Sequence, residues 1–387
     1  MRLLFAALLL TFAALAQQSP FPSATPASLG LDPAILATLD ADIISGKFNN
    51  VDSLLILRHG KIAFDRTYPR DYAKIYAEPA QRTSALNPHD FGGPYNYFNP
   101  FWHPYYRGSG NLHTLQSVTK TITSAVIGVA TTQGIFPSLD TPLLKFFDPA
   151  KVANLDDRKR RITLRHVLTM TAGFDWNEGL PYSDPNNTGS AMEASFDWVK
   201  YTIDRPMGDE PGTRFNYNSG ATELLAHVFR QATGQDIEEY AAKNLFAPLG
   251  IADYYWKRIP TGLADTEGGL YLDRRDLAKI MLLFHRQGIW QGKQIVSQEW
   301  VKASVTPAAT VRGTTKYGYK WWLYPYAKDD PRYAFGGSGF GGQLPLVLPD
   351  LDIVVVVNQW NILGGKSLGP GEIITRMIAA VTTSSPH

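Results

Sequence analysis

The chain has 387 residues, no cysteine and a formal charge of +2 at pH 7 with His neutral. Without cysteine it has no disulfide, no thiol nucleophile and no thiolate metal site. The eight histidines show no close metal-ligand spacing, so we predict neither a metal nor a cofactor. The near-neutral charge contains no run of like charge and gives no support to a nucleic-acid or membrane-surface partner. We therefore expect a small-molecule substrate; the sequence does not define the oligomeric state.

Residues 1–16 have the pattern of an export signal. Arg2 provides the positive end, Leu3 to Ala14 is an apolar run, and Ala14-Leu15-Ala16 matches an A-x-A cleavage site. The run is too short to span a bilayer, so we expect cleavage near Ala16 rather than a retained membrane anchor. The prediction is a mature chain of residues 17–387 in the periplasm or outside the cell.

The first elements of the mature chain are predicted from hydrophobic periodicity. Residues 32–44 have helical spacing, and residues 54–57 and 62–68 are two apolar runs that form a hairpin around Arg58-His59-Gly60-Lys61. Eight aromatic residues then lie between Phe91 and Tyr106, interleaved with prolines. That much aromatic area gains from burial, so we predict a long loop packed onto the body that can also form a cleft wall.

The rest of the chain divides into a helical and a strand-rich part. From His113 to about Tyr255 the pattern is mostly helical, with Gly134 and Gly234 placed as C-terminal caps. Further along we predict helices over 273–287, 295–305 and 372–381, and strands over 317–324, 343–348 and 353–357. The uninterrupted 353–357 run suits a strand buried on both faces. Strands at both ends predict one domain with an α/β lobe (about 30–112 and 256–387) and an inserted helical lobe (about 113–255).

Ser117-Val118-Thr119-Lys120 is the one Ser-x-x-Lys motif of the chain, although such a motif is expected by chance roughly once or twice in this length. Lys120 is the sole residue among Asp, Glu, Lys and Arg between Arg107 and Asp140, on a segment with apolar residues at helical spacing. A lysine buried on such a helix must find partners or lose its proton. As a neutral amine, Lys120 could accept the proton of Ser117 when that hydroxyl attacks a carbonyl.

Other interpretations of this motif remain open. Ser117 could cap the helix while Lys120 extends to the surface. The many β-branched residues also leave a strand possible. No Gly-x-Ser-x-Gly elbow occurs in the chain, which disfavours that unrelated hydrolase class.

Several further motifs follow in a fixed order, and together they resemble the penicillin-recognising serine hydrolases related to class C β-lactamases. After Ser117 to Lys120 the matching segments are residues 161–173, 211–217, 268–272, 317–322 and 336–343. The resemblance spans nearly all of the mature chain. It implies an α/β (α+β) fold of the β-lactamase or transpeptidase kind, with an antiparallel sheet built from both chain ends, flanked by helices.

The resemblance also implies roles for particular residues. Tyr217 falls on the tyrosine of the family's Tyr-x-Asn motif and would share proton transfer with Lys120, although the chain's 19 tyrosines make simple packing the alternative. Ser219 replaces the Asn of that motif, a variant that resembles the esterase and 6-aminohexanoate-oligomer hydrolase branch, and Ser219 could instead cap the next helix. Backbone N–H groups of Ser117 and Phe340 would form the oxyanion hole.

The family's Lys-Thr-Gly or His-Thr-Gly motif falls on Gly337-Ser338-Gly339, where the cation is missing. That cation helps to hold the carboxylate of penicillin-type substrates, so Gly337 weakens the case for β-lactams. Lys316 or Arg332 could replace the missing cation. The simpler interpretation of residues 337–339 is a tight turn between two strands. We assign substrate contacts to Ser219, Gly337, Ser338 and Gly339.

The resulting hypothesis is an exported serine hydrolase that forms an acyl-enzyme on Ser117 and hydrolyses a small ester or amide. A β-lactamase or DD-carboxypeptidase of the same fold, and an acylated sensor without turnover, are the alternatives. His166 is interpreted as a core or helix-facing residue. Asp175, Glu178 and Tyr182 are interpreted as solvated loop residues.

Overall fold

A computed structural model of the chain describes residues 21–78, 103–106, 110–182 and 184–382. The predicted export signal lies outside these ranges, as do residues 91–102 of the aromatic segment. None of the helices in the described residues combines the length and the apolar composition that a membrane span requires.

Thirteen strands are found in the described residues, and eight of them form one antiparallel sheet. In chain order the strands are β1 (Val51–Arg58), β2 (Lys61–Thr67), β3 (His113–Thr114), β4 (Tyr255–Trp256), β5 (Leu270–Leu272), β6 (Ile289–Trp290), β7 (Lys293–Gln294), β8 (Ala309–Arg312), β9 (Thr315–Tyr317), β10 (Trp322–Pro325), β11 (Tyr333–Gly336), β12 (Leu344–Leu348) and β13 (Ile353–Gln359). The large sheet has the order β2-β1-β13-β12-β11-β10-β9-β8, while β3-β5-β4 and β6-β7 form two small sheets.

The centre of the large sheet joins the two ends of the chain. β1 pairs with β13 so that Leu55 lies opposite Val356 and Arg58 opposite Ile353. Every residue of β13 is buried, as the apolar run predicts. The predicted antiparallel sheet built from both chain ends is therefore confirmed.

Twelve α-helices are found in the described residues. They are α1 (Pro33–Ile44), α2 (Tyr72–Ile75), α3 (Val118–Thr132), α4 (Asp157–Arg160), α5 (Leu164–Leu168), α6 (Thr188–Glu193), α7 (Trp198–Ile203), α8 (Ser219–Thr233), α9 (Ile237–Ala241), α10 (Arg274–His285), α11 (Gln298–Ser304) and α12 (Pro370–Ala380). A π-helical turn, Ala242–Phe246, extends α9.

The two faces of the large sheet are covered by different helices because successive strand residues point to opposite sides. Val355 and Val357 pack with the apolar residues of α1 and α12. Val354 and Val356 belong to the second core, which contains α10 and α3. The sheet is thus the middle layer, and α3 lies on the side that carries the candidate site.

The N-terminal predictions agree with the structure. Asp32 caps α1 by accepting a hydrogen bond from the backbone N–H of Ala34 at 2.8 Å. β1 and β2 form the predicted hairpin, and His59 lies in its turn with a left-handed φ of 53°. Gly234 ends α8 with φ 72° and donates its N–H to Arg230, and Gly134 follows α3 with the same φ.

The single strand predicted over 317–324 is wrong. The chain forms β9 and β10 instead, joined by a tight turn in which Lys320 has a left-handed φ of 65°. Gly318 opens that turn, and a Cβ added to it would lie 1.9 Å from the carbonyl oxygen of Ser304. The continuous aromatic pattern concealed the turn. The sequence prediction also missed β8 and β11 of the large sheet.

Candidate active site

Ser117 lies at the start of α3 and does not cap it. Its φ and ψ are −60° and −7°, and its side chain accepts no hydrogen bond from the first turn of the helix. The hydroxyl faces Lys120 instead, whose Nζ lies 2.8 Å from Ser117 Oγ. α3 is buried from Val118 to Ala130, which fixes the direction of both side chains. The alternatives of a strand and of a helix-capping serine are both wrong.

Lys120 is held inside the protein rather than extended to the surface. Its side chain is 1% exposed, and Nζ donates to Ser117 Oγ, to the Glu267 carbonyl at 2.9 Å and to Glu267 Oε2 at 2.8 Å. An ammonium has three N–H donors, so all three are used. Of the two outcomes expected for this buried lysine, the structure shows the one in which it finds partners.

The charges at the site favour an ammonium on Lys120 in this arrangement. Burial alone would lower the pKa of Lys120, but the Glu267 carboxylate, together with Tyr217 and Glu178, outweighs it, so the pKa lies above the ordinary value. Burial likewise disfavours the Glu267 carboxylate, yet Lys120 and hydrogen bonds hold its pKa below the usual range. Ser117 therefore lies next to an ion pair.

Tyr217 completes the group around Ser117. Its hydroxyl is hydrogen-bonded to Ser117, and Lys120 Nζ lies 5.2 Å from the centre of its ring. Burial raises the pKa of Tyr217, and the nearby Lys120 ammonium offsets part of this rise. Tyr217 is thus a neutral phenol at neutral pH, positioned to donate a proton. The structure brings the three predicted catalytic side chains together.

Ser219 is the first residue of α8 but not its cap. That role belongs to Asn218, whose side chain accepts from the backbone N–H of Ala221 at 2.8 Å. Ser219 is buried, and it donates its backbone N–H and its hydroxyl to Glu178 at 2.8 and 2.6 Å. The interpretation of Ser219 as a helix cap is wrong.

Glu178 is not the solvated loop residue that the sequence suggested. Besides the two bonds from Ser219, its carboxylate accepts from Trp176 Nε1 at 2.8 Å and from the Tyr182 hydroxyl at 3.2 Å. Four donors thus converge on one carboxylate and fasten the 176–182 loop to the start of α8. Asp175, by contrast, is exposed as expected.

A group of carboxyl groups lies next to Lys120, of which those of Glu223 and Glu267 are buried and that of Glu193 is half-buried. Glu267 is hydrogen-bonded to the side chain of Glu193, and burial together with the Glu267 charge raises the pKa of Glu193 well above its usual value. Burial also raises the pKa of Glu223, which accepts from the backbone N–H of Glu267 at 2.9 Å. Lys257 lies in the same group, where burial lowers its pKa to about 8. No sequence motif indicated these residues.

The segment Gly337-Ser338-Gly339 runs against the start of α3, where small residues are needed. A Cβ on Gly337 would lie 2.9 Å from Val118 Cγ1, and one on Gly339 would lie 2.4 Å from the Leu115 carbonyl oxygen. This close approach brings Phe340, the first residue of a 3-10 turn, to the side of the sheet on which Ser117 lies. The segment is therefore more than a simple turn between strands.

The two cations considered as substitutes at this strand have other partners. Arg332 is bound to Asp330 by several hydrogen bonds, of which the shortest is 2.7 Å. Lys316 Nζ donates to the Thr310 hydroxyl at 3.0 Å on the β8–β9 edge. Both cations are therefore engaged with other side chains.

Aromatic side chains surround the candidate site. The Tyr182 and Phe340 rings are 4.9 Å apart on one side, and Tyr217 packs 5.9 Å from Trp322 on the other. The Tyr324 hydroxyl is hydrogen-bonded to Ser338. The described residues contain no group of three or more His, Asp or Glu side chains arranged to hold a metal ion.

His166 has a structural role. Its Nδ1 faces the backbone N–H of Thr163 at 3.2 Å, and the two residues form a capping box at the start of α5. A Cβ on Gly212 would lie 3.1 Å from His166 Nε2. His166 therefore fastens a helix and a neighbouring turn, as the helix-facing interpretation expects.

Comparisons with known proteins give the same fold. The family model described as Beta-lactamase matches residues 53–362. The 6-aminohexanoate-dimer hydrolase of Paenarthrobacter ureafaciens is 27% identical over 282 residues, or 66% of this chain and 69% of that protein. Monacolin J acid methylbutanoyltransferase of Aspergillus terreus is 32% identical over 129 residues, which are 33% of this chain and only 31% of the length of that relative.

A solved structure agrees over nearly the whole chain. The structure of EstCE1, described as a hydrolase with promiscuous acyltransferase activity, has a TM-score of 0.63 at 18% identity and covers 92% of this chain and 99% of its own. At that identity the likeness shows the fold alone, which is that of β-lactamases and penicillin-binding proteins. With the family match over residues 53–362, the chain belongs to the beta-lactamase family.

Proposed function

We propose that the protein is a serine hydrolase that forms an acyl-enzyme on Ser117 and hydrolyses a small ester or amide. The observation that carries this proposal is the 2.8 Å contact between Ser117 Oγ and Lys120 Nζ, with Tyr217 hydrogen-bonded to the same serine. A nucleophile within hydrogen-bond reach of proton-transfer groups is the arrangement that covalent catalysis requires.

The proposed reaction has two halves. Ser117 Oγ attacks the carbonyl carbon and loses its proton to the hydrogen-bonded group that contains Lys120. The backbone N–H groups of Ser117 and Phe340 stabilise the oxyanion. Tyr217 gives its proton to the leaving alcohol or amine, which is the task of a general acid. Water then attacks the acyl-enzyme and the proton movements run in reverse.

The substrate proposed here is uncharged near the bond that is cleaved. The site is lined by aromatic side chains, Gly337 supplies no cation, and Lys316 and Arg332 are engaged elsewhere. A penicillin-type carboxylate would thus lack a cationic partner among these residues. The relative named above as 6-aminohexanoate-dimer hydrolase supports hydrolysis as the reaction, and linear amides and aryl esters are the substrate classes to test.

Replacing Ser117 tests the reaction. Folded S117A protein should show no turnover of aryl esters or linear amides, and a fluorophosphonate should label the wild-type chain at Ser117 and nowhere else. Turnover by S117A, or label on another residue, would overturn the proposal. Faster hydrolysis of a chromogenic cephalosporin than of aryl esters would favour a β-lactamase, and persistent stoichiometric labelling by substrate would favour a sensor.

Export is a separate part of the proposal. We infer that residues 1–16 are removed and that residues 17–387 act as a single catalytic domain in the periplasm or outside the cell. The support is the Arg2, apolar run and Ala14-Leu15-Ala16 pattern. N-terminal sequencing of the protein from the exported fraction should start near Gln17; a chain that retains Met1 in the cytosol would contradict export.

A further inference from the structure

Two buried groups, Lys120 and Glu267, form a continuous chain of contacts that starts at Ser117. Ser117 Oγ lies 2.8 Å from Lys120 Nζ, and the same nitrogen lies 2.8 Å from Glu267 Oε2. The Lys120 and Glu267 side chains are 1% and 7% exposed, so bulk water does not separate them. A proton that leaves Ser117 can therefore reach a carboxylate by one intervening amine.

The resting protonation states explain why that carboxylate is needed. Lys120 is an ammonium and Tyr217 a phenol, so neither has a free site for the proton of Ser117. Glu267 is the anionic member of the hydrogen-bonded chain that contains Ser117 and Lys120. The Glu178 carboxylate is near the site, but four donors from the 176–182 loop and Ser219 already occupy it.

We propose that Glu267 is the terminal proton acceptor of a Ser117–Lys120–Glu267 relay during acylation. The assignment rests on the proposed serine hydrolase function and names a positioning residue that acts through Lys120. As Ser117 Oγ bonds to the carbonyl carbon, Lys120 Nζ releases one ammonium proton to Glu267 Oε2, and the lone pair that this frees accepts the proton of Ser117. Lys120 stays an ammonium, Glu267 becomes a neutral acid, and the negative charge resides on the oxyanion, so atoms and charges balance.

The Glu267 carboxyl group is surrounded by acidic, basic and phenolic side chains, and its protonation depends on them. Glu193 donates a hydrogen bond to Glu267, and the Ser219 side chain is hydrogen-bonded to it. The charged or titratable groups that face this carboxyl from neighbouring elements are Lys120 on α3, Glu193 on α6, Tyr217 before α8, Glu223 on α8, Lys257 after β4, Asp265 on its own loop and Glu178 on the 176–182 loop.

The rate of Ser117 phosphonylation by a fluorophosphonate isolates this step. The Oγ–P bond forms, the P–F bond breaks and fluoride leaves without needing a proton, so the reaction requires removal of the serine proton but not the acid role of Tyr217. The wild-type rate should be nearly independent of pH from about pH 5 to about pH 8, because the pKa of Glu267 lies below its usual range and the carboxylate stays ionised.

Glu267→Gln should lower the phosphonylation rate about 100-fold at pH 5 to 6, with recovery as the pH rises. Without the Glu267 charge, burial lowers the pKa of Lys120, and Lys120 must become a free amine before it accepts the proton of Ser117. The acid limb of the profile thus moves to higher pH. Glu267→Asp keeps a carboxylate and should keep the wild-type shape at a lower rate, which also guards against misfolding of the Gln variant.

Glu210→Gln provides a matched control, because Glu210 forms an exposed ion pair with Arg161 at 2.7 Å, away from the site. It should leave the profile unchanged. If the pH profile of E267Q has the same shape as that of the wild type, whatever its absolute rate, the relay is overturned. The relay is also overturned if the acid limb moves to higher pH in Tyr217→Phe and not in E267Q. Label at Ser117 together with a parallel E267Q profile refutes the relay alone, whereas label elsewhere refutes the serine hydrolase itself.

Discussion

Glu178 accepts hydrogen bonds from both the backbone N–H and the hydroxyl of Ser219, at 2.8 and 2.6 Å. Ser219 is two residues after Tyr217, so this carboxylate fixes the start of α8 and with it the position of the tyrosine. The loop that carries Glu178 is held by the same contact. Substitutions at Glu178 therefore act on the geometry of the site without touching Ser117.

We predict that Glu178→Ala destabilises the protein by about 1 to 3 kcal/mol, because it leaves the buried N–H groups of Trp176 and Ser219 without an acceptor. Glu178→Gln should destabilise the protein less than Glu178→Ala does. Its amide oxygen can serve those two N–H groups while its NH2 group donates to the hydroxyls of Ser219 and Tyr182. Urea unfolding of both variants measures the difference; equal stability of Glu178→Ala and wild type would contradict it.

Tyr217→Phe separates the acid role from the rest of the mechanism. We expect kcat on a linear amide to fall by about 100- to 10,000-fold, because the amine leaving group must be protonated. Hydrolysis of a p-nitrophenyl ester should fall less, since its leaving group departs as the anion. Steady-state kinetics on the two substrates test this, and an equal loss on both would argue that Tyr217 has a packing role with Trp322 and Lys120.

We predict that a side chain at position 337 is not tolerated, because there is no space for it. Its added Cβ would lie 2.9 Å from Val118 Cγ1 and 3.1 Å from Cγ2, so Gly337→Ala should cost about 1 to 3 kcal/mol. Val118→Ala removes both methyl groups, and Gly337→Ala should cost less in that background. A double-mutant cycle by thermal unfolding measures the coupling energy. Strict additivity would show that the two residues do not compete for space.

The pH dependence of stability should report on Glu223. Burial raises its folded-state pKa above the unfolded value, so its contribution to stability is fully present below the unfolded pKa and is lost as the pH rises towards the folded pKa. In that range the loss is about 1.4 kcal/mol per pH unit. Glu223→Gln does not titrate and should flatten the curve, with an oxygen still available to Thr266 and the Glu267 N–H.

Urea midpoints of wild type and Glu223→Gln between about pH 4 and about pH 7 test this sign. The stability of Glu223→Gln relative to the wild type should increase as the pH increases. Parallel curves would mean that Glu223 is ionised in the folded protein. One oxygen of Glu223 has no hydrogen-bond partner among the described residues, which suits a neutral acid better than a buried anion.

The sequence was most informative where chemistry and local structure coincide. Ser117 and Lys120 are one helical turn apart on a segment with a solitary charge, so their contact follows from helix geometry. Tyr217 needed the ordered motifs of the family resemblance, because nothing local separates it from the other tyrosines. The strands β1 and β13 were recognisable from their apolar runs, and the resemblance implied a sheet built from both chain ends, but not which strands pair.

The partners of Lys120 and Ser219 could not be predicted in the same way. Glu267 and Glu178 reach the site from loops far from Ser117 in the chain, and an isolated glutamate in a loop is most often solvated. The adjacent Gly268 to Leu272 motif was the one feature near Glu267 that drew attention to this loop. The β9–β10 turn was missed because Lys320 carries no turn signal despite its left-handed φ.

The pairing of β1 with β13 has a consequence for how the protein is made. Arg58 lies opposite Ile353, so closing this contact costs about 3 kcal/mol more chain entropy than closing a ten-residue hairpin. Such long-range pairing also slows folding. The middle of the sheet cannot form until nearly the whole polypeptide has left the ribosome, and a nascent chain that stops before β13 has Ser117 and Lys120 but no central sheet on which to assemble them.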